Sequence, residues 1–348
     1  MLDSAALRRI FDSLPRIRIA LVGDLFLDKY LDLDSRLTEV SVETGLDAYQ
    51  IAKIRCYPGA GGTVLNNLSA LGIGKLHAIS VIGDDGDGFE LLRTLRERGI
   101  DGEGVIVRED RMTPTYTKPM LSQPTGPARE LNRLDVKNRT PASHEQDRQV
   151  IARLDDISSR VDAVIVADQV TEQNQGVITD AVRDRLAELA RQHPNVTFFA
   201  DSRSHLGLFR NILAKPNRSE MLSALGLSAD VRESSAAGAL EEVRRLAGEL
   251  SRQIGGPVYA TIGPDGILYA DGQSAQHIPG IRVEGPIDIV GAGDSTTAGI
   301  VSALAAGATP AQAAHLGCLV ASITIQQIGV TGTASPAQVI ERFRESQP

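Results

Sequence analysis

The chain has no tryptophan and only two cysteines, and no stretch of it approaches ~18 continuous apolar residues. Cys56 and Cys318 lie far apart without ligand spacing. That argues against a disulfide framework or a zinc site and fits a reducing compartment. The six histidines are scattered and form no zinc motif. No Walker-type Gly-x-x-x-x-Gly-Lys-[Ser/Thr] and no Gly-x-Gly-x-x-Gly is present, so P-loop and dinucleotide readings lack their signatures. Nothing resembles a nucleophile elbow. Lysine and arginine are spread along a chain of formal net charge −8, which argues against nucleic acid or a membrane surface as the main partner. Residues 1–15 are polar and helix-like, with no apolar run of signal length. The expectation is a soluble, cytoplasmic protein that acts on a small molecule.

The 348 residues can bury a large core, as one big α/β domain or two smaller ones. Short apolar runs at 17–22, 76–82, 163–167, 196–200 and 258–262 read as buried parallel strands. Helical patterns at 89–98, 176–192 and 241–254 fall among them. This alternation predicts βαβ units and a mostly parallel sheet covered on both faces. Thr309-Pro310 and Ser335-Pro336, each with a glutamine at N3, mark the last two helices. Residues 29–57 and 115–135 break the rhythm with half-exposed alternation. They predict antiparallel strands of a small β lid inserted into one domain, 1–348.

The most informative segment is Asp-Ile-Val-Gly-Ala-Gly-Asp at 288–294, followed by small residues to Gly299. Gly291, Ala292 and Gly293 leave an approaching oxyanion unobstructed at a helix start, where unpaired N–H groups and the helix dipole favour phosphate. Asp294 puts a carboxylate inside that anion site. This repels a bound phosphate unless it faces a hydroxyl that attacks phosphorus, the layout of phosphoryl transfer. In this position the dipole predicts an ionised Asp294. An ordinary helix cap fits the segment alone equally well. Other clusters divide in the same way. The Gly-rich turn at 58–72, with Gly59, Gly61 and Asn67, fits a ligand-binding turn or a tight turn before a packed helix. Asn217 and Glu220 fit a capping box, or water-mediated Mg²⁺ near a triphosphate. Thr261, Gly263 and Gly266 fit a strand-to-strand turn or a ligand site beyond the carboxyl end of a strand.

Taken together, in this order and across about residues 16–342, these segments resemble the ribokinase-like (PfkB-type) carbohydrate kinases. Asp-x-x-Gly-Ala-Gly-Asp is the most specific element. The resemblance implies a three-layer α/β/α sandwich of nine or so strands, with a β lid that often mediates dimerisation. It also implies ATP-dependent phosphorylation of a sugar or sugar-like alcohol. Carried over by position, Asp294 receives the hydroxyl proton, and Gly291, Ala292 and Gly293 form the anion hole. Asn217 and Glu220 organise Mg²⁺ waters, and Thr261, Gly263 and Gly266 bind nucleotide. Asp28, Gly59, Gly61 and Asn67 contact the sugar. Asp288 and the loop at 329–333 suggest a monovalent cation such as K⁺. Gly23-Asp24-x-x-x-Asp28-x-Tyr30, Thr-x-Thr-Lys118, Arg133-Leu-Asp135 and the tail at 328–333 look most like the heptose-phosphate kinase branch. Lys118 and Arg133 would then hold a phosphate already on the substrate. The sugar-binding turn departs from the usual Gly-Gly-x-x-x-Asn, reading Gly59-Ala60-Gly61-Gly62-Thr63. Alternatives are a nucleoside or vitamin kinase of the same fold, and a kinase homologue that only binds a metabolite.

Overall fold

A computed structural model describes residues 2–123, 128–228, 236–329 and 331–347. Nine strands form the central sheet. From one edge to the other they are Ala275–Ile278, Ile267–Ala270, Val258–Thr261, Leu213–Ala214, Thr197–Ser202, Ala163–Asp168, Arg18–Gly23, Lys75–Gly83 and Ile100–Arg108. Neighbours run parallel except at the Ile267–Ala270 strand, which pairs antiparallel on both sides. Every residue of Ala163–Asp168 is buried. Its continuous apolar sequence follows from cover on both faces.

The pleat divides the core in two. Ile19, Leu21, Ala163 and Ile165 face a cluster that includes Val301, Leu316 and Leu68. Ala20, Val22, Val164 and Val166 face the opposite cluster, with Leu154, Leu186 and Leu250. The result is the expected ribokinase-like α/β/α sandwich.

The five predicted strands all form. The helix expected over 176–192 starts later, at Asp180 with Thr179 as N-cap. Residues 173–177 ahead of it turn and bend instead, and the Val177 N–H donates to the Asp24 carboxylate at 2.8 Å.

A second sheet is built from Leu25–Leu33, Ile51–Ala60, Thr115–Leu121 and Leu134–Val136. The two irregular stretches do pair, through Leu25–Leu33 and Thr115–Leu121, and within the first stretch Leu25–Leu33 runs antiparallel to Ile51–Ala60. The expectation of antiparallel pairing throughout fails between Leu25–Leu33 and Thr115–Leu121, which run parallel. These two strands come from separate insertions, so no hairpin turn dictates their direction. Residues 124–127, part of the segment between Pro119 and Arg129, lie outside the described residues.

Candidate functional site

Parallel strands deliver their carboxyl ends to one rim, and that rim carries the polar residues. Asp24 follows Arg18–Gly23, Gln169 follows Ala163–Asp168, Arg203 follows Thr197–Ser202, and Lys215 follows Leu213–Ala214. Facing them is the start of helix Ala292–Ala305. Gly299 lets this helix pack closely on the next, since a Cβ there would lie 2.8 Å from Gly317 Cα. Gly291 is the N-cap at φ +80°, a left-handed conformation that favours glycine. The N–H groups of Gly293 and Asp294 meet no protein acceptor among the described residues. They remain open donors at the positive end of the helix.

An open cavity of about 610 Å³ gathers Asp294, Gly291, Ala292, Gly293, Asn217, Glu220, Thr261, Gly263 and Gly266. Nine of the predicted positions thus share one wall space, although they are scattered along the sequence. The Asp294 carboxyl is half-buried there. Burial first, and then the neighbouring Asp201 carboxylate, push it up to about 7, with Asp28 adding to the rise. Lys215 and Arg203 oppose the shift without cancelling it. The expectation that the helix dipole keeps Asp294 firmly ionised is therefore corrected: desolvation and like charge outweigh the dipole.

Asp201 and Lys215 form the centre of this wall. Lys215 Nζ lies 3.1 Å from Asp201 Oδ2, and Thr297 Oγ1 donates to the same oxygen at 2.8 Å. Burial alone would lower the Lys215 ammonium. Asp201, Glu220 and Asp294 together hold it above its ordinary value. A Cβ at Gly293 would sit 3.4 Å from Lys215 Nζ, so the cation borders the open N–H groups. Asn217 and Glu220 do close a capping box on helix Arg218–Ala224. Glu220 nevertheless faces the cavity, with its carboxyl raised mainly by burial. Thr261 and Gly263 lead into a turn between antiparallel strands, as the simpler reading expects, and also line the cavity. Gly266 is held at φ +99°, and a Cβ there would lie 2.2 Å from Ile278 O.

The predicted sugar contacts separate into two groups. Asp28 is close enough to Asp294 to affect its charge. Its carboxylate pairs with Lys118 at 3.3 Å and needs Gly59, where a Cβ would come within 2.9 Å of Asp28 Oδ2. Arg133 is exposed, paired with Asp135 at 2.6 Å and stacked over the Tyr116 ring at 4.2 Å. Gly61 and Asn67 do not come forward. Gly61 packs against Leu21 and Ala167, while Asn67 is fully buried and donates to Thr63 O at 3.0 Å. Thr63, in contrast, approaches the Gly291 turn: a Cβ on Gly291 would lie 3.6 Å from its methyl. Ala60 does adopt positive φ, +54°, despite its side chain. Asp288 Oδ1 accepts from Val290 N–H and Oδ2 from Gly329 N–H, at 3.0 and 3.4 Å. No group of three or more histidine, cysteine or acidic side chains that could hold a metal occurs among the described residues.

Sequence reasoning gave Asp201, Arg203 and Lys215 no role. The available signal is position: each directly ends or follows an apolar strand.

A family model described as pfkB family carbohydrate kinase matches residues 39–338. The chain belongs to the pfkB family of carbohydrate kinases. It is 26% identical over 342 residues to the bifunctional protein HldE of Pelobacter propionicus, covering 97% of this chain and 66% of that protein. Against the bifunctional protein HldE of Citrifermentans bemidjiense it is 28% identical over 334 residues, covering 95% and 64%. The chain therefore spans a little under two thirds of these relatives' length, and the matches agree with the likeness to the heptose-phosphate branch. Its fold is similar to that of Arabidopsis thaliana ribokinase solved with ribose and ATP, with TM-score 0.67, 15% identity, and 94% and 99% of the two chains covered. It is also similar to phosphofructokinase-2 from Escherichia coli in complex with potassium, with TM-score 0.71, 18% identity and the same coverage. No helix among the described residues is long and apolar enough to cross a membrane.

Proposed function

We propose that this pfkB family member transfers the γ-phosphoryl group of ATP to a hydroxyl of a sugar or sugar phosphate, heptose-phosphate-like in kind. The observation that carries this reading is the pairing of two open N–H groups, at Gly293 and Asp294, with a carboxyl poised near neutral pH in the same cavity. An anion seated on those donors brings its phosphorus beside Asp294. The carboxylate then aligns an acceptor hydroxyl and takes its proton as the new P–O bond forms. Lys215, held in place by Asp201, adds positive charge next to the transferring group. Positioning and fixed charge supply most of the rate in such reactions.

Asn217 and Glu220 would hold Mg²⁺ through water, where the metal would neutralise phosphate charge. A half-buried carboxylate beside an exposed amide suits a cation that keeps most of its waters. Asp28, positioned by Lys118 and Gly59, is placed to accept hydrogen bonds from acceptor hydroxyls, and the small sheet acts as the lid. K⁺ near Asp288 is part of the same reading. A faster rate in potassium than in sodium buffer supports it, and equal rates remove it.

The test is ADP release from Mg·ATP with a panel of sugars, sugar phosphates, nucleosides and pyridoxal. Turnover confined to a sugar or sugar phosphate is the expected result. Turnover with a nucleoside or pyridoxal replaces the proposal with a different acceptor class. Tight ATP binding without any turnover makes the protein a binder.

A further inference from the structure

Three hydroxyl side chains stand in a row near the start of helix Ala292–Ala305: Ser295, Thr296 and Thr297. Two of them turn back on their own helix. Ser295 Oγ and Thr296 Oγ1 donate to the Ala292 carbonyl at 3.0 and 2.7 Å, the usual local bond of such residues inside a helix. Thr297 does not. Fully buried, it donates from Oγ1 to Asp201 Oδ2 at 2.8 Å, reaching across to strand Thr197–Ser202. Lys215 Nζ lies 3.1 Å from that same oxygen. One carboxylate oxygen thus joins a helix hydroxyl to a lysine that is only 5% exposed.

The helix sets this junction against the open turn. Thr297 follows Gly293 by four residues, so the two lie on one helix face. Gly293 leaves that face room for the ammonium, since a Cβ there would meet Lys215 Nζ at 3.4 Å. Three carboxyl groups compete for this cation: Asp201, Glu220 and Asp294 all act on its charge. Only Asp201 pairs with it at contact distance among the described residues. A lysine ammonium is a compact charge on a flexible stem, and it follows the best-placed acceptor. Pairing with Asp294 would occupy the carboxylate that has to take a proton. Asp201 keeps the cation because its Oδ2 is fixed, and the Thr297 hydroxyl fixes it from the helix side.

We propose that Thr297 is a positioning residue for phosphoryl transfer: its hydroxyl ties the Asp201 carboxylate to helix Ala292–Ala305, so that Lys215 stays paired with Asp201, clear of Asp294, and against the Gly291–Gly293 turn. The proposal rests on the kinase reading above and adds the residue that keeps proton acceptor and cation apart. What position 297 requires is a hydroxyl rather than bulk, so serine serves there and the isosteric valine does not. Without the hydroxyl, Asp201 is released and Lys215 swings towards Asp294. Of the charges that act on Asp294, Asp201 and Lys215 are held through Thr297, whereas Arg203 and Asp28 are not.

The test reads the Asp294 carboxyl carbon by NMR in full-length protein labelled with ¹³C-aspartate, the signal being assigned by its loss in Asp294→Asn. Thr297→Val should lower its titration midpoint by about one unit, because a cation moves in as a like charge moves away. Thr297→Ala, which removes the hydroxyl with less bulk, should do the same, and Thr297→Ser should leave the midpoint near the wild-type value. With Lys215→Met already present, the fall caused by Thr297→Val should shrink by at least half. Turnover of Mg·ATP with the acceptor panel is measured alongside. There Thr297→Val should lose at least about tenfold in kcat with nucleotide Kd unchanged, and Thr297→Ser should regain most of it. Absence of wild-type turnover defeats the kinase reading alone, since the titration still decides where Lys215 is held. The proposal is overturned by a midpoint that Thr297→Val leaves unmoved, by an equal fall in Thr297→Ser, or by a fall that stays more than half as large beside Lys215→Met.

Discussion

Asp294 combines a strained electrostatic position with a chemical task, and its titration carries two predictions. Its carboxyl is raised from 3.8 to about 7, chiefly by burial. A proton acceptor must be deprotonated, so kcat/KM should fall as pH drops through about 7, about tenfold per unit well below it. A pH–rate profile of the free enzyme checks this, and a flat acid limb down to pH 5 contradicts it. The stability effect has the opposite sense. A carboxyl that binds its proton more tightly when folded stabilises the fold most below about pH 4. That contribution is lost as pH rises through 7. Asp294→Asn removes the charge, so at pH 8 it should melt above the wild type, and the gap should close at pH 4. Thermal melts at both pH values report it. Ala60 presents a separate strain: at φ +54° its side chain occupies a conformation suited to glycine. Ala60→Gly relieves that strain against a smaller cost from the greater entropy of the unfolded chain. It should gain up to about 1 kcal/mol in a denaturant titration.

At the scale of elements, much of the framework was readable. The apolar runs in strands Arg18–Gly23 and Ala163–Asp168 stand out because strands buried on both faces need no polar residue for about five positions. Residues 288–294 were readable for a different reason: open backbone donors demand small residues at fixed spacing. Asp201, Lys215 and Arg203 escaped, since no local pattern ties them to Asp294. The link between Asp201 and Thr297 spans 96 residues. Asn67 lies buried in helix Gly61–Leu71 with its Nδ2 donating to Thr63 O, a contact that a Gly-rich segment does not distinguish from a ligand contact. The loop at 169–177 was equally hidden. Three of its N–H groups converge on the carboxylate of Asp24, and a Cβ on Gly176 would come within 2.7 Å of Asp24 Oδ1. Asp24→Ala should release this loop. Hydrogen exchange at Gln169, Val170 and Val177 should accelerate at least about tenfold, while amides of strand Ala163–Asp168 stay protected. Unchanged exchange at those three sites would show that other contacts hold the loop.

For the molecule as a whole, the architecture combines a nine-stranded frame with a smaller second sheet. The central sheet fixes Asp24, Gln169, Arg203 and Lys215 along one rim, and the second sheet brings Asp28 and Tyr116 over them. The same sheet and its hairpin expose Val40, Val42, Leu46, Ile51 and Ile54. Such apolar surface suits the homodimer contact expected of the lid. Light scattering should then give about 74 kDa, twice the 37.1 kDa chain, and a mass of one chain removes that contact. The central claim is narrower: open amides at the start of helix Ala292–Ala305 hold the transferring group while Asp294 receives the acceptor's proton. It is tested most directly by comparing Asp294→Asn with wild type for both turnover and ATP affinity. The account predicts kcat reduced by more than about a hundredfold with nucleotide Kd nearly unchanged, whereas near-wild-type turnover would contradict it.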